Sequence, residues 1–151
     1  MTTVAWDGRF FASDTQGDHG GLIVPTKKLM ATPDYVIGGA GSYALIYDFW
    51  RRTKDMSLGS ILDAGFGVTP DSEDDDDLPS IMIASRKSRN AWYMSGRVFV
   101  PIERGFHAIG SGRDFALAAM SLGKTAYEAV ELARTLDVST GGAIDLIELQ
   151  C

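Results

Sequence analysis

Apolar residues recur along the chain with two different periods, and the switches between them mark out its elements. Thr3, Ala5 and Trp6, then Asp7-Gly8, then Arg9 to Ser13 predict two strands joined by a turn that suits a tight hairpin. The chain is thus expected to start inside a sheet, where a terminus would ordinarily fray. Asp14 ends the second strand, and Gln16 to Gly21 reads as a loop from its composition. Leu22-Ile23-Val24 is a further extended run that reaches Pro25, Thr26, Lys27, Lys28, Leu29 and Met30. After a turn at Thr32-Pro33-Asp34, Tyr35-Val36-Ile37 predicts a short strand entering Gly38-Gly39-Ala40-Gly41. Glycines at such a junction let a backbone N–H face a ligand closely.

From Ser42 the period becomes helical, with Tyr43, Ile46, Tyr47 and Trp50 on one stripe that is expected to face the core. Leu58 to Val68 is apolar but carries Gly59, Gly65 and Gly67, so any helix there should be short or broken. The acidic run at 71–77 repels itself and is expected to form an exposed, mobile loop; it lacks the ligand spacing of a calcium-binding loop. Ser80 to Ala84, Ala91 to Met94 and Val98 to Val100 predict a meander of strands. Phe106 to Ile109 enters a second glycine turn, Gly110-Ser111-Gly112, which opens a helix ending at Gly123. Thr125 and Glu128 have capping-box spacing ahead of a helix through Ala129, Val130, Ala133 and Leu136. Asp137 lies at its end, Ser139 to Gly142 turns the chain, and Ala143 to Leu149 alternates as a closing strand.

At 151 residues and 45% hydrophobic content, the chain is long enough for one domain, 1–151, with a real core. A net charge of −6 and a pI near 4.8, without Lys/Arg clusters, argue against nucleic acid as a partner. The lone Cys151 has no partner for an intrachain disulfide, and the chain shows neither a basic and apolar leader nor an apolar run of membrane-spanning length. A cytoplasmic protein with no membrane contact is expected.

The candidate chemistry starts at Thr2. If Met1 is removed, Thr2 carries a hydroxyl and a free α-amine whose pKa of about 7.7–8.0 suits a general base near neutral pH. Nucleophile and base then come as one unit. Threonine is also simply a well-tolerated second residue, and Asp14 and Lys28 could be a turn residue and a solvated strand-edge lysine. His19 and His107 lack paired ligand spacing, so neither metal nor other cofactor is implied. A Ser-His-Asp triad using either histidine is a weaker alternative, because no Gly-x-Ser-x-Gly elbow is present.

Six pieces in order along the chain carry a resemblance: Thr2-Thr3-Val4, Gly8 to Asp14, Lys27-Lys28-Leu29, Gly39-Ala40-Gly41, Ala108 to Gly112 followed by Asp114 to Ala119, and Asp137 to Gly142. Together they resemble the proteasome β-subunit family, including its HslV-type members, within the N-terminal nucleophile hydrolases. The resemblance implies an α+β fold, a four-layer αββα sandwich with two antiparallel sheets between helix layers. It implies Thr2 as nucleophile, Asp14 and Lys28 as a buried acid-lysine pair, and Gly41 as backbone donor of the oxyanion hole. Ser111 would stand beside the nucleophile, and Asp137 with Thr140, where the family more often has serine, would hold the terminal amine. The implied activity is a threonine-type peptidase acting by acyl transfer on peptide or unfolded protein, in a homo-oligomeric ring that could work with an ATP-dependent unfoldase. Two other readings stay open: a non-catalytic assembly subunit of the same fold, favoured if Met1 is retained, and a hydrolase of small amides.

Overall fold

The computed structural model of the chain describes residues 2–65 and 78–149. The acidic run at 71–77 lies outside the described residues. Among those described, three antiparallel sheets and four helices make a mixed α and β fold.

The predicted hairpin forms as β1 (Val4–Trp6) and β2 (Phe10–Ser13). β1 does not fray because it has neighbours on both sides: Val4 pairs with Ser13 of β2 and with Ile109 of β10 (His107–Ile109). β11 (Asp145–Glu148) completes this sheet on the far side of β2, in the order β10-β1-β2-β11.

A second sheet runs β5-β6-β7-β8-β9, made of Leu29–Ala31, Tyr35–Ala40, Ser80–Ser85, Ala91–Ser95 and Val98–Pro101. Its last three strands are the expected meander. β6 runs farther than the sequence suggests, through Gly38 and Gly39 to Ala40. Both glycines are filled from outside the strand: a Cβ at Gly38 would meet Val4, Phe11 and Leu29, and one at Gly39 would meet Ile46. Alternation across the strand puts one glycine under the other sheet and the next under a helix.

The third sheet is a correction to the sequence reading. Gln16 to Gly21 is not a plain loop: β3 (Gln16–His19) pairs with β4 (Leu22–Pro25) as a ribbon turning at Gly20-Gly21, both at positive φ. Leu22 and Ile23 are exposed on it.

Three apolar clusters hold these elements. Val4, Trp6, Phe11, Leu29, Val36 and Met82 join the two larger sheets. Against the other face of the four-stranded sheet, Ala5, Ala12 and Ala108 meet α3 (Arg113–Ser121) and α4 (Ala126–Leu136) through Ala116, Ala119, Ala126 and Ala129. The alanines let helix and sheet backbones come close. On the far face of the five-stranded sheet, Ile37, Ile81 and Ile83 cluster with α1 (Tyr43–Thr53) and α2 (Leu58–Ala64). The buried face of α1 is Ile46, Phe49 and Thr53, whereas Tyr43 and Tyr47 are exposed, so the expected aromatic core stripe is turned by one position. α2 is short and stops at Gly65, which has positive φ, as its glycines suggest. α4 carries the expected capping box between Thr125 and Glu128.

Candidate active site

Thr2 sits just before β1 and is buried, at 4% exposure. The turn after β10 wraps around it. Gly110, at φ +100°, has no side chain because Thr2's carbonyl occupies the space a Cβ would need. Gly112 N donates to that same carbonyl at 3.3 Å. Between the two glycines, Ser111 Oγ accepts from Thr2 N at 3.1 Å. The Gly-Ser-Gly piece is therefore a clasp on the first residues of the chain.

Ser111 Oγ in turn donates to Asp137 Oδ2 at 2.6 Å, and Thr140 Oγ1 donates to the same oxygen at 2.6 Å. Asp137 is the C-cap of α4, and its other oxygen accepts from Ser139 N at 3.2 Å. Burial pushes its carboxyl up, but the bonds from Ser111, Thr140 and the Ser139 backbone outweigh that and hold it below the ordinary carboxylate range.

The second charged group is a buried ion pair. Lys28 Nζ donates to Asp14 Oδ1 at 2.8 Å and to the Gln16 carbonyl at 2.7 Å. Asp14 is fully buried and its carboxylate is well filled: Oδ1 also accepts from Thr3 N at 3.0 Å, and Oδ2 accepts from Gly141 N at 3.1 Å. Burial lowers the pKa of Lys28, and the Asp14 carboxylate opposes this, with Asp137 adding a smaller pull. A dry pair of this kind does not by itself favour folding over a well-packed apolar pair, so its presence fits a task for the ammonium. The solvated-edge alternative for Lys28 is excluded, since the residue is 4% exposed.

Thr2 and Lys28 open on one cavity of about 540 Å³, which is bounded by β3 residues Gln16 to His19, by Thr26, by Gly39 and Gly41, and by Tyr43 and Ile46 of α1. Gly41, at φ +114°, borders it as well. All seven candidate residues thus come together, with Thr2, Lys28 and Gly41 facing the cavity and Asp14, Ser111, Asp137 and Thr140 tied to them by hydrogen bonds. A hydroxyl and an ammonium that line one cavity, with a serine on the Thr2 nitrogen, are a set chemically able to support acyl transfer. His107 lies elsewhere, its ring 4.8 Å from that of Tyr93; burial, then the charge of Arg104, lower its pKa.

Sequence reasoning passed over Thr3. Its hydroxyl is 2.7 Å from that of Thr140 in the buried interior, and its N–H holds Asp14. The available signal was a second polar residue where a strand entering a core should be apolar.

No protein-family model and no curated protein sequence matches the chain. Solved structures do match over its full length. Thiobacillus denitrificans BPH in complex with epoxomicin superposes with a TM-score of 0.74 at 18% identity, covering 100% of both chains. Thiobacillus denitrificans BPH gives 0.70 at 19% identity, over 99% of this chain and 98% of that one. Eukaryotic HslV from Trypanosoma brucei gives 0.73 at 21% identity, over 99% of each chain. The three antiparallel sheets and four helices among the described residues, with a buried first strand clasped by the Gly110-Ser111-Gly112 turn, give the chain an HslV-like fold.

Proposed function

We propose that the chain is a threonine-type peptidase of the HslV and proteasome kind, with Thr2 as its nucleophile once Met1 has been removed. The observation that carries this reading is the convergence on Thr2: its nitrogen on Ser111, its cavity shared with Lys28, and Lys28 paired to a buried Asp14. Four segments spread over the chain supply these groups, and no packing requirement alone asks for all of them.

In the proposed reaction, Thr2 Oγ attacks a peptide carbonyl while its proton passes to the Thr2 amine. The Lys28 ammonium, kept charged by Asp14, favours the alkoxide-like oxygen, and the Gly41 N–H stabilises the tetrahedral oxyanion. Collapse breaks the C–N bond, the leaving amine takes the proton back from the Thr2 ammonium, and the acyl group stays as an ester on Oγ. Water, deprotonated by the same amine, then hydrolyses the ester and restores the hydroxyl. Ser111, Asp137 and Thr140 hold the amine so that its lone pair faces Oγ.

With Met1 attached, the Thr2 nitrogen is an amide without a basic lone pair, and that form is inert in this reading. The three apolar clusters support a four-layer αββα sandwich. Peptide or unfolded protein is the substrate, and the setting is a homo-oligomeric ring in the cytoplasm, with an ATP-dependent unfoldase as a possible partner.

The test uses an epoxyketone, which needs both hydroxyl and free amine and is the chemical class of the epoxomicin bound to BPH. Protein made in a cell is expected to be lighter by one methionine and to gain one probe mass at Thr2, and Thr2→Ala is expected to lose both labelling and peptide turnover while keeping its fold. A processed chain that resists the probe would remove the peptidase and leave the assembly role.

A further inference from the structure

Hydroxyl protons can be counted at this site, and the count gives its hydrogen bonds a direction. Ser111 Oγ and Thr140 Oγ1 each lie 2.6 Å from Asp137 Oδ2, and each hydroxyl owns one proton, which belongs on the carboxylate. Ser111 is then an acceptor toward Thr2 N at 3.1 Å, and Thr140 is an acceptor toward Thr3 Oγ1 at 2.7 Å. Thr3 is the donor. Its side chain is fully buried, and Gly112 leaves the room for it, since a Cβ there would fall on Thr3 Oγ1. Two chains of donors therefore end on one carboxylate oxygen, one from Thr2 through Ser111 and the other from Thr3 through Thr140.

We propose that Thr3 is a positioning residue of this site, whose hydroxyl donates to Thr140 and so strengthens Thr140's own bond to Asp137. Its effect on rate rests on the peptidase reading; its effect on the Thr2 amine does not. Without the Thr3 hydroxyl, Thr140 Oγ1 keeps an unfilled acceptor in a buried place, and its O–H, no longer polarised by a donor on its own oxygen, is a weaker donor to Asp137. The carboxylate then holds its negative charge with one of its two short bonds weakened and attracts a nearby positive charge more strongly. The proton affinity of the Thr2 amine rises. The other charged and titratable groups on the elements that line the cavity or flank the Gly110 turn are Asp14 and Lys28, Asp18 and His19 of β3, Tyr43 of α1, and Arg113 at the start of α3. None of these bonds the Thr3 hydroxyl among the described contacts, so the substitution changes one input only.

The experiment compares Thr3→Val and Thr3→Ser with the unchanged chain, each released from a fusion so that Thr2 is the first residue. In ¹³C-threonine-labelled protein, the Thr2 Cα shift followed against pH titrates the amine whether or not anything is turned over. Thr3→Val is expected to raise that pKa by about half a unit or more. In a chain that cleaves peptides, the acid limb of kcat moves up with it, kcat at neutral pH falls about threefold or more, and KM is unchanged. Thr3→Ser restores both, and Thr3→Val adds nothing in a Thr140→Val background. An amine titration unmoved in folded Thr3→Val overturns the proposal, as does a Thr3→Ser chain as impaired as Thr3→Val; should Thr3→Val not fold, Thr3→Ala is judged by the same titration. A shifted titration in a chain without turnover keeps the proposal and removes the peptidase.

Discussion

Lys28 shows what a single residue owes to its surroundings. On the sequence it is one of two adjacent lysines beside a strand; in the fold Lys28 is buried at 4% exposure and Lys27 is not. Removing a preorganised cation next to a developing negative charge costs roughly 100-fold or more in rate. Lys28→Ala is therefore expected to cut peptide turnover by at least ~100-fold with the fold retained, and a loss below tenfold would argue against its role. The pH profile follows from the same group. Turnover should rise as the Thr2 amine loses its proton near pH ~8 and fall as the ammonium of Lys28 loses its own. Because burial lowers the Lys28 pKa, that second limb should come below the ordinary lysine range. Asp14 opposes the lowering, so Asp14→Asn should move the alkaline limb to still lower pH, read from kcat/KM against pH. Asp14 was legible as a candidate only because its neighbours matched a pattern; that its two oxygens hold Thr3 N, Gly141 N and Lys28 comes from three separate segments meeting.

At the level of elements, turns decide more than strands do. Gly110 and Gly123 both have positive φ, at +100° and +88°, but Gly110 is pressed on the Thr2 carbonyl and Gly123 faces open space. Gly123→Ala should cost only the backbone strain, about 1–2 kcal/mol. Gly110→Ala adds a clash with backbone and should cost about 3 kcal/mol or more, with loss of epoxyketone labelling. Thermal or urea unfolding of the two variants measures the difference, and equal losses would mean the clasp is loose. The capping box of α4 was readable from four consecutive residues because both its bonds are local. The β3–β4 ribbon was not, since Gln16 to His19 has no alternation and becomes a strand only through its pairing with Leu22 to Pro25. The face of α1 was misjudged for a related reason: tyrosines carry apolar rings with a polar end, and Tyr43 borders the cavity while Phe49 packs inside.

At the scale of the whole molecule, a chain of this fold that works on proteins is expected to sequester its site by assembling into a closed ring, since repeated head-to-tail contacts close by rotation. Light scattering at micromolar concentration should give a mass of several subunits; a monomer alone would remove the ring and weaken the protein-degradation reading with it. Periodicity in the sequence by itself determined most of the described strands and the three longer helices, because alternation and helical spacing report which side of an element is dry, while at 58–64 its glycines left open whether a helix forms. It also put the hydroxyl, the acid and the lysine on the list of candidates, through their types and order. It did not determine which of them meet. Thr2 N and Ser111 are 109 positions apart, Gly141 N and Asp14 are 127 apart, and Thr3 and Thr140 are 137 apart. Those distances are closed by sheet pairing and by alanine packing of α4 on the strands, which are properties of the folded chain, and Thr3, an ordinary strand-edge residue in the sequence, has its hydroxyl partner only there.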